Sequence, residues 1–179
     1  MIKSLPTPRG TIVIRQSDLA DVASFRELRL EALQNSPTAF SMDYGRSSHY
    51  PLKYWEDTLV MDDMESAIFF AEHNDRLIGM TGIARGRSPK TKHAADIWGV
   101  YVTPQWRGLH IAEELIRSCR DWAQARQIVV LRLAVVATNK PAIRCYERCG
   151  FVTYGTEPRS LFYEGKYYDE YMMSLSLDS

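Results

Sequence analysis

The chain changes its hydrophobic period near Pro104, and this change constrains the fold more than any other feature of the sequence. Upstream, residues 66–72 and 77–83 are apolar runs parted by His73, Asn74, Asp75 and Arg76, the pattern of a hairpin turned on Asn-Asp. Residues 94–102 add a third strand, which Pro104 must end because it has no N–H for the ladder. Downstream, Ile111, Leu115, Cys119, Trp122 and Ala123 recur at helical spacing up to about Arg126. Residues 128–137 are then almost continuously apolar, as in a central strand covered on both faces. A second helix is predicted from about Lys140 to Cys149, with Gly150 as its stop. A meander running into strand–helix–strand–helix–strand predicts an α/β (α+β) chain, with a mixed central sheet flanked by helices.

Residues 11–15 read as a first strand. Ser17 or Asp18 can cap a helix carrying Val22, Phe25, Leu28, Ala32 and Leu33 on one face and ending before Pro37. Residues 36–51 are loop-like, and residues 52–60 form a weaker helix. A further strand opens at Phe151, and residues 167–175 alternate as a last one. Residues 1–10, with Pro6 and Pro8, read as a tail, which leaves 11–177 as a single domain. The whole chain of 179 residues, 45% apolar and 25% charged, is ordinary for one globular unit.

Lys plus Arg and Asp plus Glu balance at 22 each, so nothing marks a nucleic-acid partner. Arg85, Arg87, Lys90 and Lys92 are interrupted by Gly86 and Pro89 and read as a solvated turn. Cys119, Cys145 and Cys149 have no disulfide-scaffold spacing, which favours a reducing compartment. No nearby histidine completes a metal site around Cys145 and Cys149. With neither a signal-like segment nor a membrane-length apolar run, a cytoplasmic protein without a membrane partner is expected.

Two stretches carry chemistry. Gln105-Trp106-Arg107-Gly108-Leu109-His110-Ile111-Ala112 passes from a strand into a helix, whose first-turn N–H groups and dipole suit an anion, with Gly108 permitting close backbone approach. Taken alone this is a weak signal, since many strand–turn–helix units carry a glycine. Asn139 and Pro141 mark the start of the next helix, which carries Tyr146 four residues before Gly150. Tyr146 has two readings: a core ring packed on Phe151, or a phenol that donates to a departing thiolate.

Residues 100–112 and the pattern Asn139-x-x-Ala142-x-x-x-Tyr146-x-x-x-Gly150-Phe151 resemble the acetyl-CoA-binding and C-terminal motifs of the GNAT superfamily of acyl-CoA-dependent N-acetyltransferases. The similarity of layout extends from about Thr11 to Leu175, and includes Arg29-Leu30-Glu31-Ala32-Leu33 and Gly165-x-x-x-Asp169-Glu170-x-x-Met173. The resemblance implies a mostly antiparallel sheet with a splayed strand pair that binds acyl-CoA, and direct acetyl transfer to the amine of a small molecule or amino-acid derivative. It implies that Val100, Tyr101 and Val102 meet the pantetheine arm and that Arg107, Gly108, Leu109, His110, Ile111 and Ala112 hold the pyrophosphate. Asn139 is then the contact near the thioester, and Tyr146 the general acid. His110 departs from the family's Gly or Ala, so its side chain either crowds the phosphates or turns away. Homodimerisation through the strands after Phe151 is a family habit.

The acceptor amine must lose a proton before attack. Asp96 is the first candidate for that base, placed by strand alternation on the face of Trp98 and Val100. Glu31, His49, Asp169 and Glu170 are others. Tyr44, His49, Tyr50, Tyr54 and Trp55 are a candidate aromatic acceptor pocket. A non-catalytic acyl-CoA-binding module, or an acetyltransferase acting on a protein N-terminus or lysine, are the alternative functions.

Overall fold

In a computed structural model, which describes residues 2–60 and 63–178, the described residues form one eight-stranded sheet. Along the chain its strands are β1 (Ile2–Thr7), β2 (Gly10–Gln16), β3 (Ser66–His73), β4 (Arg76–Arg85), β5 (Ala94–Val102), β6 (Val130–Val136), β7 (Val152–Tyr163) and β8 (Lys166–Ser176). Across the sheet the order is β1-β2-β3-β4-β5-β6-β8-β7. All neighbours are antiparallel except β5 and β6. The helices are α1 (Val22–Asn35), the single turn α2 (Tyr44–Ser47), α3 (Leu52–Leu59), α4 (Ile111–Gln124) and α5 (Lys140–Arg148). None is long and apolar enough to cross a membrane.

Local chemistry explains most of these boundaries. Asp18 and Asp21 close a reciprocal capping box ahead of α1, and α1 stops one residue before Ser36-Pro37. Asn74 and Asp75 both take positive φ, at 48° and 59°, which is the turn a two-residue hairpin needs. The sheet has a core on each side. Helices α4 and α5 close one over Ile14, Phe69, Ile83 and Leu131. Helices α1 and α3 close the other, where Phe25 meets Trp55 edge-on at 5.9 Å above Phe70.

Two expectations are corrected. Residues 2–7 are not a tail but an edge strand, paired with β2 from Ile2–Arg15 to Thr7–Gly10. Proline is tolerated there because one side of an edge strand needs no donor. Strand β6 is covered on one face along its length and on the other only at Val136. Leu131, Leu133 and Val135 are buried, but Ala134 is exposed and Arg132 reaches solvent, because α1 and α3 stand over β3 and β4 and leave this part unroofed.

The feature that positions the site is a phase slip in β5. Gly82 pairs with Trp98 and Met80 with Tyr101, so β5 holds one residue more than β4 across this interval, and Gly99 takes it up at φ +66°. The bulge exchanges the two faces: Ala95 and Ile97 join the core under α4, but beyond it Val100 and Val102 do so, and Tyr101 turns towards α1. Beside it, Gly82 lies under the Trp98 indole, where a Cβ would fall 2.2 Å from the ring. Pairing with β6 is limited to Ala94, Ala95 and Asp96. From Ile97 onward the two parallel strands diverge and leave a wedge.

Candidate active site

The wedge opens into a cleft of about 400 Å³. Its walls are the end of β5, the turn into α4, one face of α5, and Ser36, Ala39 and Phe40 after α1. The β5 wall is a strand whose β6-facing edge has lost its partner, so its backbone can pair with an extended ligand.

The turn before α4 is built for backbone approach. Gly108 sits at φ +78° with nothing within 4 Å of where a Cβ would stand, and His110, the N-cap residue, at φ +59°. No side chain caps α4, so first-turn N–H groups face the cleft mouth without a protein acceptor from the cap. Arg107 fixes the turn by donating from Nε to the Val102 carbonyl at 3.0 Å. His110 turns outward: its side chain is 72% exposed, and Nδ1 lies 3.1 Å from Glu113 Oε1. Of the two outcomes for this side chain, the structure has the one directed away from the turn.

Glu113 is the acidic residue at this end of the cleft. Burial pushes its carboxyl up, but hydrogen bonds from Arg148 and His110 more than offset this and hold it below the ordinary carboxylate range. Arg107, Arg144 and Arg148 also line the cleft, which gives the mouth a cationic excess. Arg144 and Arg148 were not singled out from sequence, although they follow Pro141 at i+3 and i+7 on one helical stripe.

Tyr146 lines the cleft from α5 and is 8% exposed. Its ring meets Phe151 at 6.2 Å and 60°, so the packed-ring reading holds for a residue that also lines the cleft. Burial, then the neighbouring Cys145 and Cys149, raise its pKa above the ordinary tyrosine value. Cys145 lines the same cleft, because α5 lies along it. Its hydrogen bond to Cys149, and burial, hold this thiol above its ordinary value, so it is protonated and a poor nucleophile. Asn139 caps α5 by accepting from the Ala142 N–H at 3.3 Å, and its amide nitrogen has no acceptor among the described residues.

Val100, Tyr101, Val102, Arg107, Gly108, His110, Ile111, Ala112, Asn139 and Tyr146 thus come together at one cleft. Leu109 does not line it and packs on the core instead. Asp96 is also absent from its walls: it is exposed and held by Arg132 through bonds of 2.8 and 3.0 Å. The expectation that it shares a face with Val100 fails because the Gly99 bulge lies between them. A different carboxylate, itself outside the lining, bonds to a residue of the cleft wall. The Tyr101 hydroxyl donates to Glu31 Oε1 at 3.0 Å and accepts from Asn35 Nδ2 at 3.1 Å.

The aromatic acceptor pocket does not form as expected. Trp55 is buried in the core and Tyr50 stacks on Tyr54 at 4.3 Å. His49 Nδ1 bonds to the Gly45 carbonyl at 2.7 Å, and Tyr44 lines a second cavity between the loop after α1 and the end of β7.

Comparison with known proteins agrees with this geometry. An L-amino acid N-acetyltransferase of Escherichia coli is 30% identical over 102 residues, covering 55% of this chain and 60% of that protein. A streptothricin acetyltransferase of Escherichia coli is 30% identical over 115 residues, covering 59% and 64%. These matches therefore span a little under two thirds of either relative's length. A Salmonella typhimurium protein solved with its cofactor acetyl-CoA superimposes with a TM-score of 0.76 over 94% of this chain and 95% of its own, at 22% identity, a likeness of fold. The model of the acetyltransferase (GNAT) family matches residues 26–151, which take in most of α1, the wedge, the α4 turn and the Tyr146 helix, and the chain belongs to that family.

Proposed function

We propose that the chain transfers an acetyl group from acetyl-CoA directly to a primary amine of a small molecule or amino-acid derivative. The observation that carries this reading is the wedge between β5 and β6, with the uncapped start of α4 on one wall and Tyr146 on another. The Escherichia coli L-amino acid N-acetyltransferase among the relatives supports the acceptor class. Acetyl-CoA supplies an activated acyl group and a thiol leaving group.

In this reading the N–H groups of residues 107–112 hold the pyrophosphate, with Arg107, Arg144 and Arg148 as countercharge. Val100 and Val102 offer the free β5 edge to the amide-bearing arm, and the Val100 N–H faces the developing oxyanion. Tyr146 donates to the departing sulfur, and Asn139 contributes its amide. Glu31, joined to Tyr101, takes the role first sought at Asp96 and accepts the ammonium proton. The protonated state of Cys145 favours direct transfer over a thiol-linked route.

A thermal-shift titration with acetyl-CoA, coenzyme A and ATP, followed by a thiol-release assay across an amine panel, tests the reading. At 100 times Kd, ligand binding adds about 2.7 kcal/mol, or roughly 5–10 °C for a chain of this size. Selective stabilisation by the coenzyme A species with amine-dependent thiol release is expected. Equal shifts with ATP would point to a general nucleotide site, and selective binding without thiol release from any amine to a binding module.

A further inference from the structure

Helix α1 carries an anomaly that the reaction outlined above does not use. Arg29 sits on its apolar face, four residues after Phe25 and four before Leu33, and is buried to 6% exposure. Among the described residues no carboxylate pairs with it: Nη2 reaches only the Met42 thioether, at 3.5 Å, and the guanidinium lies over the Phe40 ring at 4.7 Å. Nη1 has no hydrogen-bond partner among the described residues and is closed off from solvent. Burial pushes the guanidinium down to about 10, so it still carries its charge at neutral pH. A buried, unpaired cation is among the more destabilising features a core can hold, and an apolar residue of similar length would pack there without that penalty.

Its surroundings indicate what completes it. Nη1 faces Gly99, the bulge residue of β5, where a Cβ would stand only 3.3 Å away, closer than ordinary contact, so a glycine lets the strand lie against this nitrogen without offering it a hydrogen bond. Phe40, which roofs the guanidinium, lines both the main cleft and the second cavity, and Met42 lines the second. Arg29 therefore lies beneath the short segment between the two cavities, beside the point where β5 and β6 part. Its Nη1 and Nη2 hydrogens form a planar fork with one member free and the other held by a weak sulfur acceptor. A carboxylate fills such a fork with two parallel bonds.

We propose that Arg29 is the receptor for a carboxylate of the acceptor, so that the substrates are amino acids or other amines bearing a carboxylate, with Phe40 and Met42 yielding to admit it. This rests on the acetyl-transfer reading. The negative group of the acceptor would replace the Met42 sulfur on Nη2, satisfy Nη1 and so hold the amine beside the wedge.

The test uses the full chain, the variants Arg29→Met and Arg29→Lys, and a panel of L-amino acids with their matched amides. Wild type is expected to favour the acid over its amide in kcat/KM, with the difference expressed in KM. Arg29→Met is expected to lower that ratio by about 10- to 100-fold, the worth of a charge-assisted hydrogen bond, and Arg29→Lys to restore part of it. Arg29→Met should melt no lower than wild type, because it removes an uncompensated charge. If it does not fold, the ratio is read from Arg29→Lys, which is expected to fall between wild type and unity. A wild type that binds acetyl-CoA but acetylates amides as well as acids, or only amines without a carboxylate, overturns the Arg29 assignment alone. So does a ratio that neither substitution changes. A wild type with no acetyl-CoA shift overturns the acetyl-transfer reading, and the assignment with it.

Discussion

Replacing Tyr146 by Phe separates the packing of that residue from its proposed role as a donor, because the ring carries the first and the hydroxyl would carry the second. The ring is held by Phe151 and the core beneath α5, whereas the hydroxyl makes no hydrogen bond within the described residues. Tyr146→Phe should therefore leave stability within about 0.5 kcal/mol, or roughly 1–2 °C in Tm. Activity should respond far more. An ordinary phenol near pKa 10 facing a thiolate near 8.5 transfers its proton uphill by about 2 kcal/mol, and burial of Tyr146 steepens that further. The hydroxyl then acts chiefly as a fixed hydrogen-bond donor to the emerging thiolate, and loss of one such donor lowers kcat by about 10²- to 10³-fold. Thiol release at saturating acetyl-CoA measures kcat, and calorimetric titration measures Kd, which should stay within about threefold of wild type. The raised pKa also means that the phenol keeps its proton through neutral pH and past its ordinary value. An alkaline limb of kcat below about pH 10 must then belong to another group. A variant with wild-type kcat and Tm would remove Tyr146 from the chemistry, and one that loses Tm and Kd together would make it a packing residue only.

Four further substitutions probe the site's supports. Asp96→Asn breaks an exposed ion pair worth about 0–1 kcal/mol and should leave kcat at wild-type level, whereas Glu31→Gln should lower kcat at neutral pH by about 10²-fold; the reverse pattern in a thiol-release assay would return the base to Asp96. Gly82→Ala drives a Cβ into the Trp98 indole and should lose about 1–3 kcal/mol in a urea melt, and an unchanged midpoint would show that Trp98 yields freely. His110→Gly relieves a left-handed residue and should gain about 1 kcal/mol in the same melt. Because the imidazole points to Glu113, acetyl-CoA affinity should stay near wild type; a large tightening by calorimetry would mean that the ring crowds the phosphates after all.

How much was legible in the chain depended on whether the signal was periodic. The amphipathic stripe of α4, the Asn74-Asp75 turn and the start of α5 at Asn139 all appear where spacing and turn chemistry put them. What spacing misses is a change of phase. The one-residue bulge at Gly99 turns Val100 away from the Asp96 face, and no alternation count crosses such a point correctly. Pro6 and Pro8 hid β1, because proline argues against an inner strand and says little about an edge. The loop aromatics were a compositional signal, and composition does not tell the buried Trp55 from a ring lining a pocket. Arg29 was visible as a charge on an apolar helical face, but only its surroundings reveal that no acid answers it.

The short contact between β5 and β6 also has a mechanical meaning. Three residue pairs join them, fewer than at any other strand boundary, so β1–β5 and β6–β8 are two leaves stitched along a brief seam, with α4 and its packed core as the strap across the back. Opening such a seam breaks few backbone bonds, and the amides bonded across it should exchange faster than those of the long β3–β4 ladder. An extended ligand laid along the bare rungs of β5 would lengthen the stitching, so that the molecule stiffens where it binds and the leaves answer as one body.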